Sequence, residues 1–310
     1  AQACAHGGIM NNTAQARRGA LYVILAALGW STMGPLARLL NAFGLYALEI
    51  SQVRLLSAFL TTGVFLLLRD RRLLRIRLRD LWCFLGTGLC SLLLYCIFYF
   101  RAVERVSISV ATVLTYMAPI YIMLLGALLF REKITPRKVL ALVLSIGGCV
   151  LVSGVLSGVS GSPDGLLAGF AAGFFYALYS IFAKFAIDRG YQTWTILFYT
   201  FGLAAIGCAF VSDWGTIGAA LSARPAAIPL CLLFGVVTCF FPYLFYSMGL
   251  QRIELSRASI LNCVDVVSSS LLGAALFQEY PSWSALLGIA HPDFRPALIQ
   301  EFELRFPPAY

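Results

Sequence analysis

Along the chain, long apolar runs alternate with short polar or basic clusters. The runs fall near residues 19–39, 45–68, 81–103, 107–130 and 138–156, then near 165–185, 192–211, 227–250 and 256–277, with a weaker fragment beginning at about 282. A helix needs roughly 20 apolar residues to cross about 30 Å of hydrocarbon, and these runs have that length. They lack the alternation, over about ten residues, that marks a lipid-facing barrel strand. Backbone groups must be satisfied internally in lipid, so the pattern predicts an all-α integral membrane protein.

The loops set an orientation. With the N-terminus placed inside, sixteen basic residues fall in inside segments, among them Arg17, Arg18, the cluster from Arg69 to Arg79, Lys133, Lys138, Lys184 and Arg252. Four fall outside: Arg38, Arg101, Arg105 and Arg224. Basic residues are retained on the cytoplasmic side, so the N-terminus is expected in the cytoplasm and the chain as multi-pass in the cell's inner membrane. Only 12% of residues are charged, against about 25% in soluble domains. The net charge of +9 sits at membrane edges rather than on a nucleic-acid-binding face.

A self-comparison at an offset of 147 aligns residues 98–132 with 245–279. Phe98 falls on Phe245, Tyr99 on Tyr246, Arg105 on Arg252, Ser109 on Ser256, Gly126 on Gly273 and Glu132 on Glu279. An offset of 146 places Gly19 on Gly165, Ala37 on Ala183 and Arg38 on Lys184. Five spans per copy is an odd number, so the second copy enters the bilayer inverted. The expected fold is a ten-helix inverted-repeat bundle (5+5) whose tenth helix is truncated or replaced. Its parts are an N-terminal extension (1–16), a first repeat (17–160), a second repeat (161–290) and an atypical polar tail (291–310). Such repeats place a solute site near the midplane.

The stretch from Ser109 to Leu129, ending in Arg131-Glu132-Lys133-Ile134-Thr135, and its second copy resemble the signature of the EamA family of drug/metabolite transporters. Ala118-Pro119 keeps the central proline of that signature, Asp265-Val266 replaces the common Glu-Pro, and Arg131 and Gln278 stand where glycine is usual. The resemblance covers about residues 17 to 288. It implies a secondary transporter, and the expected function is export of a small metabolite, amino acid or drug-like solute by alternating access, with exchange against protons as the candidate coupling. The ends depart from the family. Residues 1–9 read as sequence upstream of a native start at Met10, with no cleavable leader needed. The string Gly288-Ile-Ala-His-Pro-Asp-Phe-Arg-Pro-Ala-Leu-Ile resembles the end of CoA-transferase proteins, from which no CoA chemistry follows.

Charges inside spans are the main candidates for chemistry, because each costs about 2.5–3.5 kcal/mol at mid-depth. Asp265 lies about ten residues into the ninth span and Arg54 about nine into the second. They are placed to pair, and each reads either as a proton- or solute-binding charge or as a polar clamp between helices. Neither has a charged counterpart in the other repeat, since Asp265 falls on Ala118. Trp30, Tyr95, Tyr99, Tyr116, Tyr176, Tyr179 and Tyr246 supply rings and hydrogen-bonding groups within spans; Tyr95 and Tyr99 share a helix face, as do Tyr176 and Tyr179. Together they are expected to line an amphipathic pocket. Pro119 is a candidate hinge, and Gly126, Gly273 and the pair Gly169 and Gly173 are candidates for close packing.

The nine cysteines are scattered without a CxxC pair and read as small packing residues. The two histidines, His6 and His291, lie in the terminal segments, so neither a metal site nor an enzyme is expected. No GxxxxGK[ST] loop points to ATP, and no cofactor is expected. The expected partners are a small-molecule solute and the lipid bilayer, with a homodimer left open and nucleic acid excluded. A channel, a non-transporting membrane protein and a membrane enzyme are the competing functions.

Overall fold

A computed structural model describes residues 2–106, 108–152 and 162–277. The tenth span expected from about 282, the tail from 291, Glu279, Gln278 and most of the serine- and glycine-rich stretch 153–165 lie outside the described residues. The regular elements among the described residues are helices, with no β-strand among them.

The helices are α1 (Gln2–Ser31), α2 (Met33–Asn41), α3 (Ala47–Arg69), α4 (Leu81–Leu85), α5 (Leu94–Val103), α6 (Ile108–Thr115) and α7 (Ala118–Phe130). They continue with α8 (Pro136–Val152), α9 (Pro163–Asp188), α10 (Thr193–Ala209), α11 (Trp214–Ala223), α12 (Ala227–Gly235), α13 (Phe241–Leu250), α14 (Leu255–Asn262) and α15 (Val264–Phe277). Among the described residues six helical stretches are long and apolar enough to cross a membrane, and a seventh arises if α10 and α11, bent by 101°, form one span. The runs expected at 138–156 and 256–277 correspond to α8, with 17 residues, and to α14–α15, interrupted at Cys263.

Two kinds of irregularity recur at the offset found in the sequence. The helix from Leu81 to Val103 widens into a π-helical stretch at Gly86–Leu93, and the helix from Ala227 to Leu250 does so at Val236–Phe240. Helix α6 ends at Thr115 before α7 begins at Ala118, and α14 ends at Asn262 before α15 begins at Val264. Pro119 accounts for the first break: it has no N–H to donate, and its ring opposes the carbonyl four residues earlier. π-Turns and mid-span breaks both concentrate at functional sites of helical proteins.

Glycines let the helices meet. A Cβ on Gly173 would stand 2.6 Å from the Leu114 carbonyl oxygen, and one on Gly169 would stand 2.5 Å from the Leu114 side chain. Helix α9 therefore lies flush against the end of α6, as the Gly169–Gly173 spacing predicts. Gly19 in α1 packs on the turn at Arg252 and Ile253, while Gly165 in α9 packs on the turn at Arg105 and Val106. These are equivalent contacts at equivalent positions of the two aligned halves. The fully buried rings of Phe84 and Phe201 belong to the main core, while Phe234 is buried in a second cluster with Leu40, Leu45, Ile50 and Ile217.

One loop is pinned to the body. Thr195 donates to the Leu73 carbonyl at 2.7 Å and Tyr199 to the Leu74 carbonyl at 2.6 Å, while Asp80 accepts from Tyr191 at 2.8 Å and pairs with Arg189 at 3.1 Å.

Candidate functional site

The two helix breaks lie beside one another, and the chemistry gathers around them. Asp265 occupies the first turn of α15, where the partial positive charge of a helix N-terminus favours a carboxylate. Its oxygens accept from the Tyr116 hydroxyl at 2.9 Å and the Ser269 hydroxyl at 3.1 Å. Tyr116 comes from the break between α6 and α7, so one hydrogen bond joins the two interrupted spans. Asn262, one helical turn before Asp265, donates to the Tyr176 hydroxyl at 3.3 Å, while its buried Oδ1 has no partner.

Aromatic rings enclose this centre. Tyr95 packs on Tyr99 with ring centroids 5.7 Å apart and on Tyr176 at 5.3 Å. Tyr99 also shares a 3.3 Å hydrogen bond with Thr112. Trp30 meets Tyr243 at 5.1 Å and Tyr246 at 5.5 Å, and Tyr179 meets Tyr243 at 4.8 Å. Hydroxyl pairs fix the second group: Tyr179 with Ser247 at 2.7 Å and Tyr246 with Ser180 at 2.9 Å. Between the two groups lies a cavity of ≈ 10 Å³, lined by Tyr116, Pro119, Ile122, Tyr176, Tyr246 and Asn262 among others. That is room for about one water molecule, so the bundle is closed around the site in this conformation. A larger groove of ≈ 190 Å³ opens between α3, α11 and α12, but its lining is almost wholly apolar and lies away from Asp265.

Arg54 is placed differently from the sequence expectation. It does not pair with Asp265. Its Nη1 donates to the Met33 sulfur at 3.1 Å, its Nε has no partner among the described residues, and Cys96, Cys239, Tyr95 and Tyr243 are near enough to act on it electrostatically. The reason is register: α3 presents Arg54 to the π-turn at Val236–Phe240, whereas Asp265 faces the break in the other broken helix. Tyr95 is the residue common to both surroundings.

At one end of the bundle a second polar cluster ties the broken spans together. Glu132, just past α7, accepts from the Leu255 amide at 2.7 Å, the Ser256 amide at 3.2 Å and the Ser256 hydroxyl at 2.6 Å, capping the start of α14. Arg131 makes the turn that aims it, with φ of 57°. Gly126 leaves room: a Cβ there would lie 3.3 Å from the Glu132 carboxylate. Lys138 pairs with Glu254 beside it. Gly273 lies in α15, toward the other end of that helix.

The structure thus gathers Asp265, Tyr116, Tyr176, Tyr95 and Tyr99, joins Trp30 and Tyr179 to them through Tyr246, and leaves Arg54 as a neighbouring but separate locus. Sequence reasoning missed Asn262, Tyr243 and the capping role of Glu132. A polar Asn three residues before an intramembrane Asp was the available signal for the first; Tyr243 looked like any other ring in an apolar run.

Residues 17–154 and 164–291 each match the model of the EamA-like transporter family. Over 280 residues the chain is 25% identical to the uncharacterized inner membrane transporter YicL of Salmonella typhimurium, covering 87% of this chain and 92% of that protein. It is 25% identical over 279 residues to the uncharacterized transporter YwfM of Bacillus subtilis, covering 87% and 89%. An uncharacterized transporter of Archaeoglobus fulgidus is 27% identical over 191 residues, which are 61% of this chain and 66% of that relative's length. A solved crystal structure superposes with a TM-score of 0.75 over 93% of this chain and 98% of its own, at 20% identity, a likeness of fold.

Proposed function

The chain belongs to the EamA-like transporter family, and on that premise we propose that it is a secondary transporter that exports a small amphipathic solute by alternating access. The observation that carries the reading is the meeting of two interrupted spans around a half-buried carboxylate, with rings from several helices closing over it. Broken helices expose polar backbone only where they line a cavity, which is how transporters build a midplane site.

The two-copy family match, the paired π-turns and the paired breaks support a 5+5 inverted repeat, with the N-terminus in the cytoplasm and the bundle in the inner membrane. The two halves rock about the shared centre. Glu132 holds α7 on α14 in one extreme and releases them in the other. Tyr116 opens the route to Asp265 when α6 and α15 separate, and Pro119 sets the axis about which α7 swings. Asp265 then takes a proton from one side and gives it up on the other, so that a carboxylate, costly at mid-depth, never crosses uncompensated. The rings hold the apolar body of the solute. No residue is assigned a catalytic role.

The test is uptake and efflux of labelled amino acids and amphipathic solutes in proteoliposomes, with and without an imposed pH gradient. Saturable flux driven by the gradient, lost in Asp265→Asn with normal insertion, is expected. Flux that ignores the gradient removes the coupling role from Asp265. Unsaturable conductance points to a channel instead.

A further inference from the structure

Arg54 is the least compensated charge among the described residues. It is 4% exposed, and a guanidinium keeps its proton in a protein, so the positive charge stays inside the bundle. A structural clamp would supply a carboxylate or several carbonyl acceptors. None is there. The one bond of Arg54 goes to a thioether, a weak acceptor, and Nε is buried without a partner. The side-chain oxygen of Gln52, two residues away on the same helix, also stays unpaired rather than accept from it.

The surroundings add two phenols, which accept from a guanidinium or donate to an anion. Tyr95 and Tyr243 lie close enough for their phenols to act electrostatically on the guanidinium. Their rings are held in place, Tyr95 by Tyr99 and Tyr176, Tyr243 by Trp30, Tyr179 and Phe201. A planar fork with a free edge and two phenolic donors is matched by a planar oxyanion, which accepts on both oxygens from a guanidinium edge.

We propose that Arg54 binds a carboxylate group of the transported solute on the Nε side of its fork, with Tyr95 and Tyr243 as further donors. The solute is then an organic anion with an apolar or aromatic body. Its charged end lies at the π-turn of the Ala227–Leu250 helix, and its body reaches along Tyr95 and Tyr176 toward Asn262. The assignment rests on the reading of this chamber as the solute site. It also gives the charge a matched acceptor, which the Met33 thioether is not.

The experiment measures binding, so it does not depend on flux. Full-length protein in lipid nanodiscs is titrated with phenylacetate, indole-3-acetate and octanoate and with the amide of each, with chloride and sulfate as inorganic arms. At least one carboxylate is expected to bind tenfold or more tightly than its amide. That preference should vanish in Arg54→Gln, weaken in Arg54→Lys and Tyr243→Phe, and survive in Gly34→Ala, where an added Cβ meets nothing within 4 Å. Equal binding of every acid and its amide overturns the proposal, as does a preference that outlives Arg54→Gln, or chloride and sulfate binding with no carboxylate preference. If Arg54→Gln does not fold, the wild-type comparison and Tyr243→Phe still decide. Carboxylate binding without flux would sink the transport reading and leave the anion site standing; flux of neutral solutes alone would do the reverse.

Discussion

Removing the Glu132 side chain should loosen α14 before it unfolds anything else. The carboxylate accepts from two backbone amides and one hydroxyl at the start of an eight-residue helix whose own N-cap position, Glu254, makes no side-chain cap. Hydrogen bonds to a charged acceptor contribute about 1.5–3 kcal/mol each, while loss of a helix cap costs about 0.5–2 kcal/mol. Glu132 is only half-buried, so water replaces part of what Glu132→Ala removes, and the figures converge on about 2 kcal/mol. If that energy holds α14 shut, its local opening becomes roughly thirtyfold more frequent. Hydrogen exchange of a peptide covering 254–262, followed by mass spectrometry on detergent-solubilised protein, reads this directly. Glu132→Gln keeps the shape and some acceptor capacity and should fall between. Global unfolding can be followed in parallel with a thiol-reactive dye, because Cys83, Cys96, Cys208, Cys231, Cys239 and Cys263 are buried. Unchanged exchange in a folded Glu132→Ala protein would refute the clamp.

Two further outcomes follow from the backbone. Arg131 holds a left-handed conformation that costs an L-residue about 1–2 kcal/mol, so Arg131→Gly should stabilise the fold by a net ~0.5 kcal/mol after the added freedom of the unfolded chain and raise the thermal midpoint; a lower midpoint would contradict it. Gly173→Val should cost more than about 2 kcal/mol, since its Cβ meets a backbone carbonyl that cannot move aside, and should be seen as loss of monodisperse protein on size exclusion, whereas Gly34→Ala, with nothing within 4 Å, should be silent.

What could be read from the chain followed from how costly each feature is in lipid. The apolar runs located the helices, and the rarity of buried charge singled out Asp265 and Arg54. Their supposed pairing failed because distance across a bundle depends on helix register, which neither residue's depth specifies. Pro119 announced the break at Tyr116–Met117, but no proline or glycine marks the break at Cys263; only the internal alignment carries the expectation across. Helix α11 lies between the apolar runs 192–211 and 227–250, and its start is legible in Asp213, which accepts from the Gly215 amide and the Thr216 hydroxyl. The role of Glu132 was hidden for another reason: a cap that acts between two helices has no local pattern.

The π-turns have a mechanical consequence. Each holds one residue more than an α-helical turn would, and giving that residue back to the ladder turns the helix beyond it by about 100° and advances it about 1.5 Å. For the stretch at Val236–Phe240, such a step would swing Tyr243 and Tyr246 together, since both ride on α13. The paired stretch at Gly86–Leu93 would do the same for Tyr95 and Tyr99 on α5. The bundle is in this sense geared: two matched slips, one in each of the two aligned helices, would turn four rings together without breaking a helix.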